Sequence, residues 1–125
     1  MKHIIQSDRL IDGSGSTPLQ NGAIVIEGDK ISKICTSNEL TEADKNQAEV
    51  LSVPGGSILP GFIEMHSHIH CSSEADAYEH ITTESNETFL LRGTQAVRAA
   101  LSSGVTTMRD PGSRNEVVFP LREGI

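Results

Sequence analysis

The chain has 125 residues, enough for one ordinary domain, and its charged (22%) and hydrophobic (36%) fractions are typical of a folded protein. Its net charge of −7 argues against nucleic acid or an anionic membrane as a partner. No apolar run approaches the roughly 20 residues that span a bilayer. The two cysteines, Cys35 and Cys71, form no disulfide pattern, so a reducing cytoplasm is the expected location.

The first half of the chain predicts short strands separated by turns. The strands are expected at residues 2–6, 23–27, 30–35, 49–53 and 57–59. Gly28-Asp29 is a two-residue turn signal that joins the second and third strands as a hairpin. Residues 12–17 predict a Gly/Ser-rich loop, and residues 38–49 predict a short solvated helix or loop.

The second half predicts a strand, a helix and a second strand. The Pro60-Gly61 break precedes an apolar strand at residues 62–68. A helix is expected at 87–103, because apolar and small residues recur there at three- and four-residue spacing, and Gly104 ends it. A strand at 105–108 completes a βαβ unit with a parallel sheet. Residues 71–85 form a long polar connection. A further helix at 115–123 has its extent left open by Pro120.

A pair of histidines at the end of the strand predicted at residues 62–68 is a candidate metal site. If residues 62–68 are a strand, Glu64, His66 and His68 share one face. Two neutral imidazoles at adjacent same-face positions suit one divalent ion. The pattern alone is equally compatible with surface histidines or with buried histidines that are hydrogen-bonded. The carboxyl end of a strand is, however, where parallel α/β barrels build active sites.

The histidine pair belongs to a longer pattern at residues 59–68, Leu-Pro-Gly-Phe-Ile-Glu-Met-His-Ser-His. This pattern resembles the Pro-Gly-hydrophobic-Ile-Asp-x-His-x-His signature of the metal-dependent amidohydrolase superfamily, nearest to its imidazolonepropionase and Xaa-Pro dipeptidase-like branch. Residues 12–15 with 22–31 are similar to the family's N-terminal strands, and residues 104–112 to its second barrel strand. Glu64 stands where the family mostly has Asp, a conservative change that leaves the ligands intact.

The resemblance implies an α/β fold made of two partial domains. Residues 1–59 would form the N-terminal part of a small β-sandwich, and residues 60–125 the first βαβ portion of an incomplete TIM (β/α)₈ barrel. A whole barrel takes about 250 residues, whereas residues 62–125 have room for two strands and one or two helices. The chain is therefore expected to be the N-terminal fragment of such an enzyme, inactive alone. The family is compatible with a homo-oligomer for the intact enzyme.

The resemblance also implies a chemistry. His66 and His68 would be two ligands of a divalent metal, zinc first among the candidates, in a site of one or two ions. The other ligands and an aspartate general base come from later strands in the family, so no catalytic residue is expected within this chain. The implied reaction is hydrolysis of an amide or cyclic amide C–N bond in a small-molecule or peptide-like substrate, with aminoacyl-proline and N-acyl amino acids as the nearest classes.

Other polar residues near the pair are weaker candidates. His70 has the right parity for a third ligand, although the family does not require one. Arg109 and Asp110 end the second strand at the same rim and would orient substrate or brace the first strand's ligands, with a structural role favoured. The long connection holds further candidate pocket residues, for which a surface loop is an equal alternative: Cys71, Glu74, Asp76 and His80.

Two alternatives remain open at this point. A non-catalytic metal-binding or interaction module would use the same opening of the fold, but it leaves an open parallel sheet edge that invites aggregation. A dihydropyrimidinase- or dihydroorotase-like cyclic amidase often has an Arg shortly after the His-x-His pair. This chain has Ile69-His70-Cys71 there, which lowers that option without removing it.

Overall fold

The first half of the chain folds as one mixed four-stranded sheet. We describe it from a computed structural model, which covers residues 1–71, 75 and 77–125. The strands are β1 (Lys2–Leu10), β2 (Leu19–Glu27), β3 (Lys30–Thr36) and β4 (Ala48–Ile58), in the order β3-β2-β1-β4. β1 pairs antiparallel with β2 and parallel with β4, and β2 and β3 form the expected hairpin. A 3₁₀ turn (Ser37–Glu39) and α1 (Glu42–Lys45) connect β3 to β4.

The strand β4 corrects the sequence prediction of two separate strands at 49–53 and 57–59. Ser7 of β1 pairs with Val53, and Arg9 pairs with Ser57, so three residues of β4 lie opposite one residue of β1. Gly55 adopts a φ of +73° there and donates its N–H to an Asp8 side-chain oxygen at 2.9 Å. The Pro-Gly-Gly sequence therefore makes a bulge inside one strand instead of a break between two.

The core of this sheet is aliphatic, as the low aromatic content predicts. Its buried residues come from β1, β2, β3 and the segment before α1, and they are Ile4, Ala23, Val25, Cys35 and Leu40. Burial raises the pKa of the Cys35 thiol, which keeps it protonated in this core. Among the described residues, this region brings together no group of three or more His, Cys, Asp or Glu side chains that could hold a metal ion.

The second half of the chain folds as a parallel β-α-β unit with extra helices. β5 (Phe62–Glu64) pairs in parallel with β6 (Val105–Met108), and α2 (Ala77–Thr83) and α3 (Asn86–Ser102) lie between them in the chain. α4 (Asn115–Gly124) follows and packs against α3. The α/β fold class is confirmed. Two predictions are corrected: β5 ends at Glu64 and not at 68, and the polar connection at 71–85 contains the helix α2.

The helices α3 and α4 close over a small core. The side chain of Phe89 is fully buried, and Ile69, Val117 and Leu121 are nearly so. A Cβ added to Gly93 would lie 3.2 Å from Leu121 Cδ2 and 3.3 Å from Ile69 Cδ1, so this glycine permits the close approach of α3 to both.

The chain divides into two compact units, Met1–Pro60 and Gly61–Ile125. The histidine pair lies in the second unit, at the carboxyl end of β5. Among the described residues, none of the helices has both the length and the apolar character needed to cross a membrane.

Candidate metal centre

A bulge at the end of β5 presents the two histidines. The Arg109 N–H donates to the Glu64 carbonyl at 2.8 Å, and the Ser67 N–H donates to the Arg109 carbonyl at 2.9 Å. In a regular parallel ladder the two partners of one residue lie two positions apart, whereas here they lie three apart. The extra residue ends the strand at Glu64, so strict alternation does not set the directions of His66 and His68.

Two charged side chains satisfy the backbone groups that the bulge leaves without ladder partners. The His66 N–H donates to Glu64 Oε1 at 2.8 Å, and Arg109 Nη1 donates to the Met65 carbonyl at 3.2 Å. Without these side chains, the two exposed backbone groups would bond to water, which does not tie them to β6. Glu64 and Arg109 therefore hold the backbone on the amino-terminal side of the pair.

The two imidazoles stand at a separation that suits one metal ion. Their ring centroids are 5.2 Å apart, and the rings meet edge to face at 77°. Two imidazoles bound to one tetrahedral zinc, with Zn–N bonds of about 2.0–2.1 Å, place their centroids about 5 Å apart. His66 is exposed and the His68 side chain keeps 39% of its surface accessible, so both rings can be reached from solvent. The spacing of the two rings therefore suits two of the four ligands of a tetrahedral zinc ion.

The His68 ring lies against the loop that follows β6. Its Nδ1 is 3.9 Å from Asp110 Oδ1. A Cβ added to Gly112 would come within 2.6 Å of His68 Cε1, so only glycine leaves room for the ring in this position. Metal-binding histidines commonly turn one ring nitrogen towards a carboxylate and use the other as the ligand. In His68 it is Nδ1 that faces the carboxylate of Asp110, at a distance beyond a hydrogen bond.

Asp110 is a buried carboxylate with four hydrogen-bond donors. Its Oδ2 accepts from the Ile69 N–H at 3.0 Å and from the Ser113 hydroxyl, and its Oδ1 accepts from the backbone N–H groups of Gly112 and Ser113 at 3.0 and 2.8 Å. Burial raises the pKa of Asp110, but these hydrogen bonds together outweigh it, and the net pKa lies below the ordinary value. Asp110 is therefore ionised and fixed in place.

His70 points into the packing of α3. Its ring stacks on Phe89 with centroids 4.1 Å apart, and its Nδ1 is 2.7 Å from Ser113 Oγ. Because the Ser113 hydroxyl donates to Asp110, it accepts from His70 Nδ1–H. Burial lowers the pKa of His70, against an opposing effect of Asp110, and keeps the ring neutral. Its ring centroid lies 6.1 Å from that of His68.

Of the other candidates, Cys71 is the one adjoining the pair in the described part of the chain, because its backbone N–H donates to the His68 carbonyl at 2.8 Å. Cys71 is exposed, and local desolvation followed by the charge of Asp110 raises the pKa of its thiol. His80, on α2, has its Nδ1 3.0 Å from Glu84 Oε1. Glu74 and Asp76 lie outside the described residues. Among residues 1–71, 75 and 77–125, no three His, Cys, Asp or Glu side chains gather closely enough to hold a metal.

Sequence reasoning missed Gly112 and Ser113, which shape the loop under His68. The signal that could have found them is local. Asp-Pro-Gly-Ser at residues 110–113 is a typical turn sequence, in which an Asp side chain accepts N–H groups two and three residues ahead. That turn is what gathers Asp110, Gly112 and Ser113 beside the histidines.

The fold is similar to that of solved structures from one superfamily. The mixed α/β architecture matches the N-terminal domain of amidohydrolases, and the structural neighbours are members of the amidohydrolase superfamily, so the resemblance seen in the sequence is confirmed. No family model matches the chain.

The chain matches individual proteins over part of their length. The chain superposes on a Xaa-Pro dipeptidase with bound methionine at a TM-score of 0.76 and 29% identity, covering 100% of this chain and 30% of that one. For ochratoxinase of A. niger the TM-score is 0.77 and the identity 23%, over 98% of this chain and 28% of that one. An N-substituted formamide deformylase of Arthrobacter pascens is 36% identical over 53 residues, 42% of this chain and 10% of that protein. The chain thus spans less than a third of each.

Proposed function

We propose that this chain is the N-terminal, metal-binding part of a metal-dependent hydrolase of the amidohydrolase superfamily, and that the enzyme cleaves amide or cyclic amide C–N bonds in small molecules. The observation that carries the proposal is the His66–His68 pair, whose ring centroids are 5.2 Å apart. The superposition on a Xaa-Pro dipeptidase supports it.

The proposed architecture follows the same relatives. Residues 1–59 would be the β-sandwich portion, and residues 60–125 would supply the first two strands of a (β/α)₈ barrel. In such barrels the active site lies at the carboxyl ends of the strands. β5 ends two residues before His66, and β6 ends immediately before Arg109 and Asp110, so these residues would share one rim of the barrel.

The residues of this chain would hold a metal and keep it oriented. His66 and His68 would each provide one neutral imidazole nitrogen, with zinc as the first candidate ion. A bound zinc supplies a Lewis acid and lowers the pKa of its water to about 7. Catalytic zinc sites usually have three protein ligands. We therefore place the remaining ligands and the general base outside the described residues.

The substrate class follows from the names of the relatives. A Xaa-Pro dipeptidase acts on the bond before a proline, and an N-substituted formamide deformylase acts on a formyl amide. Both bonds join a carbonyl carbon to nitrogen. We propose aminoacyl-proline or other N-acyl amino-acid substrates for the enzyme to which this chain contributes.

Zinc binding by the full chain tests the proposal. Isothermal titration with zinc, together with elemental analysis, should show one ion per chain, and His66→Ala/His68→Ala should abolish that binding. His3→Ala is the matched control, because His3 lies in the other unit and pairs with Glu49 at 3.3 Å. Equal zinc binding by the wild-type chain and the double variant would overturn the assignment of the pair.

A further inference from the structure

We propose that Asp110 is the positioning residue of the His66–His68 pair. It would act from the end of the neighbouring strand β6, by fixing the backbone after His68 and by facing the ring of His68. The inference rests on the proposed function, because it assigns Asp110 a role towards the same metal pair. Asp110 would not contact the metal in this role.

The backbone around His68 is held on both sides by consecutive residues of one segment. The Ser67 N–H donates to the Arg109 carbonyl at 2.9 Å, and the Ile69 N–H donates to Asp110 Oδ2 at 3.0 Å. The second bond continues the pattern of the ladder with a side-chain oxygen in place of a carbonyl. His68 lies between these two bonds, although its segment belongs to no regular helix or strand. Without Asp110, the carboxyl side of His68 would lose its tie to β6.

The carboxylate of Asp110 is itself prevented from rotating. Only 6% of its side chain is exposed, and donors occupy both oxygens. The Ser113 hydroxyl, one of these donors, also accepts from His70, whose ring stacks on Phe89. The Arg114 guanidinium lies 4.3 Å from the centroid of the same Phe89 ring. A continuous set of contacts, through Ser113, His70 and Phe89, therefore links Asp110 to the core. The contacts of His70 with Ser113 and Phe89 also explain why His70 is buried away from the pair.

The charge of Asp110 also bears on the ring of His68. Its Oδ1 lies 3.9 Å from His68 Nδ1, which is beyond hydrogen-bond distance, but its negative charge would favour a proton on that nitrogen and so leave the lone pair on Nε2. Carboxylates that are hydrogen-bonded to metal-binding histidines typically change metal affinity about 10- to 100-fold when they are removed, and we take this as the upper range for Asp110. One side chain thus fixes the position of His68 and selects its ligand nitrogen.

The test compares Asp110→Asn and Asp110→Ala with two control variants of the full chain. Asp110→Asn keeps one oxygen able to accept from two of the four donors, which favours retention of the fold. Val117→Ala, at a buried position on α4, controls for lost stability. Glu84→Gln controls for the loss of a carboxylate in the same unit.

Two metal-free measurements by NMR come first. The exchange protection of the Ile69 amide should fall at least about tenfold in Asp110→Ala, and by less in Asp110→Asn and in both controls. In long-range ¹H–¹⁵N spectra, His68 should carry its proton on Nδ1 in the wild-type chain and lose that preference in the variants. Wild-type protection of Ile69 and an unchanged tautomer of His68 in Asp110→Ala would overturn the positioning role.

The zinc titration then separates this inference from the proposed function. Affinity should fall about 10- to 100-fold in the Asp110 variants and remain near the wild-type value in Val117→Ala and Glu84→Gln. Histidine-dependent binding that is equally tight in Asp110→Ala would refute the positioning role and leave the proposed function intact. A wild-type chain that binds no zinc would refute metal binding by the His66–His68 pair of this chain, and the metal-free measurements would then decide separately whether Asp110 positions His68.

Discussion

Phe89 offers the sharpest prediction about the stability of the second unit. Its side chain is fully buried, and its ring lies between the imidazole of His70, 4.1 Å away, and the guanidinium of Arg114, 4.3 Å away. Phe89→Leu keeps an apolar side chain but removes both ring contacts. The change of shape costs about 1 kcal/mol, the lost stacking about 0.5–1 kcal/mol, and the lost cation–π contact about 1 kcal/mol. We expect a total of about 2.5–3 kcal/mol.

Urea unfolding followed by circular dichroism at the helix band measures this loss. The signal reports mainly on the second unit, because α2, α3 and α4 all lie there. Leu91→Ala is the matched control on the same helix, since Leu91 is 67% exposed and should change stability by no more than about 0.5 kcal/mol. A loss below about 1 kcal/mol for Phe89→Leu, or one no larger than that of Leu91→Ala, would refute the role given to the two ring contacts.

Two further predictions concern the site and the response to pH. Gly112→Ala places a Cβ 2.6 Å from His68 Cε1, so the ring must turn away. Zinc affinity should then fall about tenfold, with little change in melting temperature. The control Gly124→Ala, whose added Cβ meets nothing within 4 Å, should change neither the affinity nor the melting temperature. The pKa of Glu84 is lowered, mainly by hydrogen bonds from Arg92. The contribution of Glu84 to stability is therefore fully present above the unfolded-state pKa of about 4.3, and it is lost as the pH falls below that value. Glu84→Gln should therefore flatten the fall of stability between about pH 5 and pH 3 in urea titrations, and an unchanged slope would contradict this reasoning.

The sequence was sufficient to predict the elements whose signals are local. The hairpin of β2 and β3 follows from Gly28-Asp29 between two β-branched runs, and Gly28 has the positive φ of +66° that such a turn uses. The helix α3 follows from the stripe of apolar and small residues, and β6 lies where residues 105–108 predict it. Each of these depends on neighbours within a few positions of the chain.

The bulges could not be predicted in the same way, because distant residues stabilise them. The bulge in β4 depends on a hydrogen bond between Asp8 and Gly55, which are 47 residues apart. The bulge after β5 depends on Arg109, whose backbone and side chain both bind the histidine segment. The Pro-Gly-Gly and His-x-His motifs can be recognised in the sequence, but the sequence pattern does not show which strand lies beside each of them.

The candidate site was likewise predicted in part from the sequence. The spacing of His66 and His68 indicated a metal pair, and the structure brings the two rings together, although by a bulge and not by strand alternation. The parity that made His70 a candidate third ligand ends with the strand at Glu64. The structure instead stacks His70 on Phe89, a contact that links residues far apart in the chain.

The most direct test of the His66–His68 metal centre is long-range ¹H–¹⁵N NMR of all five imidazoles during a zinc titration. One ring nitrogen of His66 and one of His68 should shift together and saturate at one zinc per chain, while His3, His70 and His80 keep their metal-free spectra. Shifts at the other three histidines without the pair, or no histidine shift at all, would contradict a metal centre at this rim.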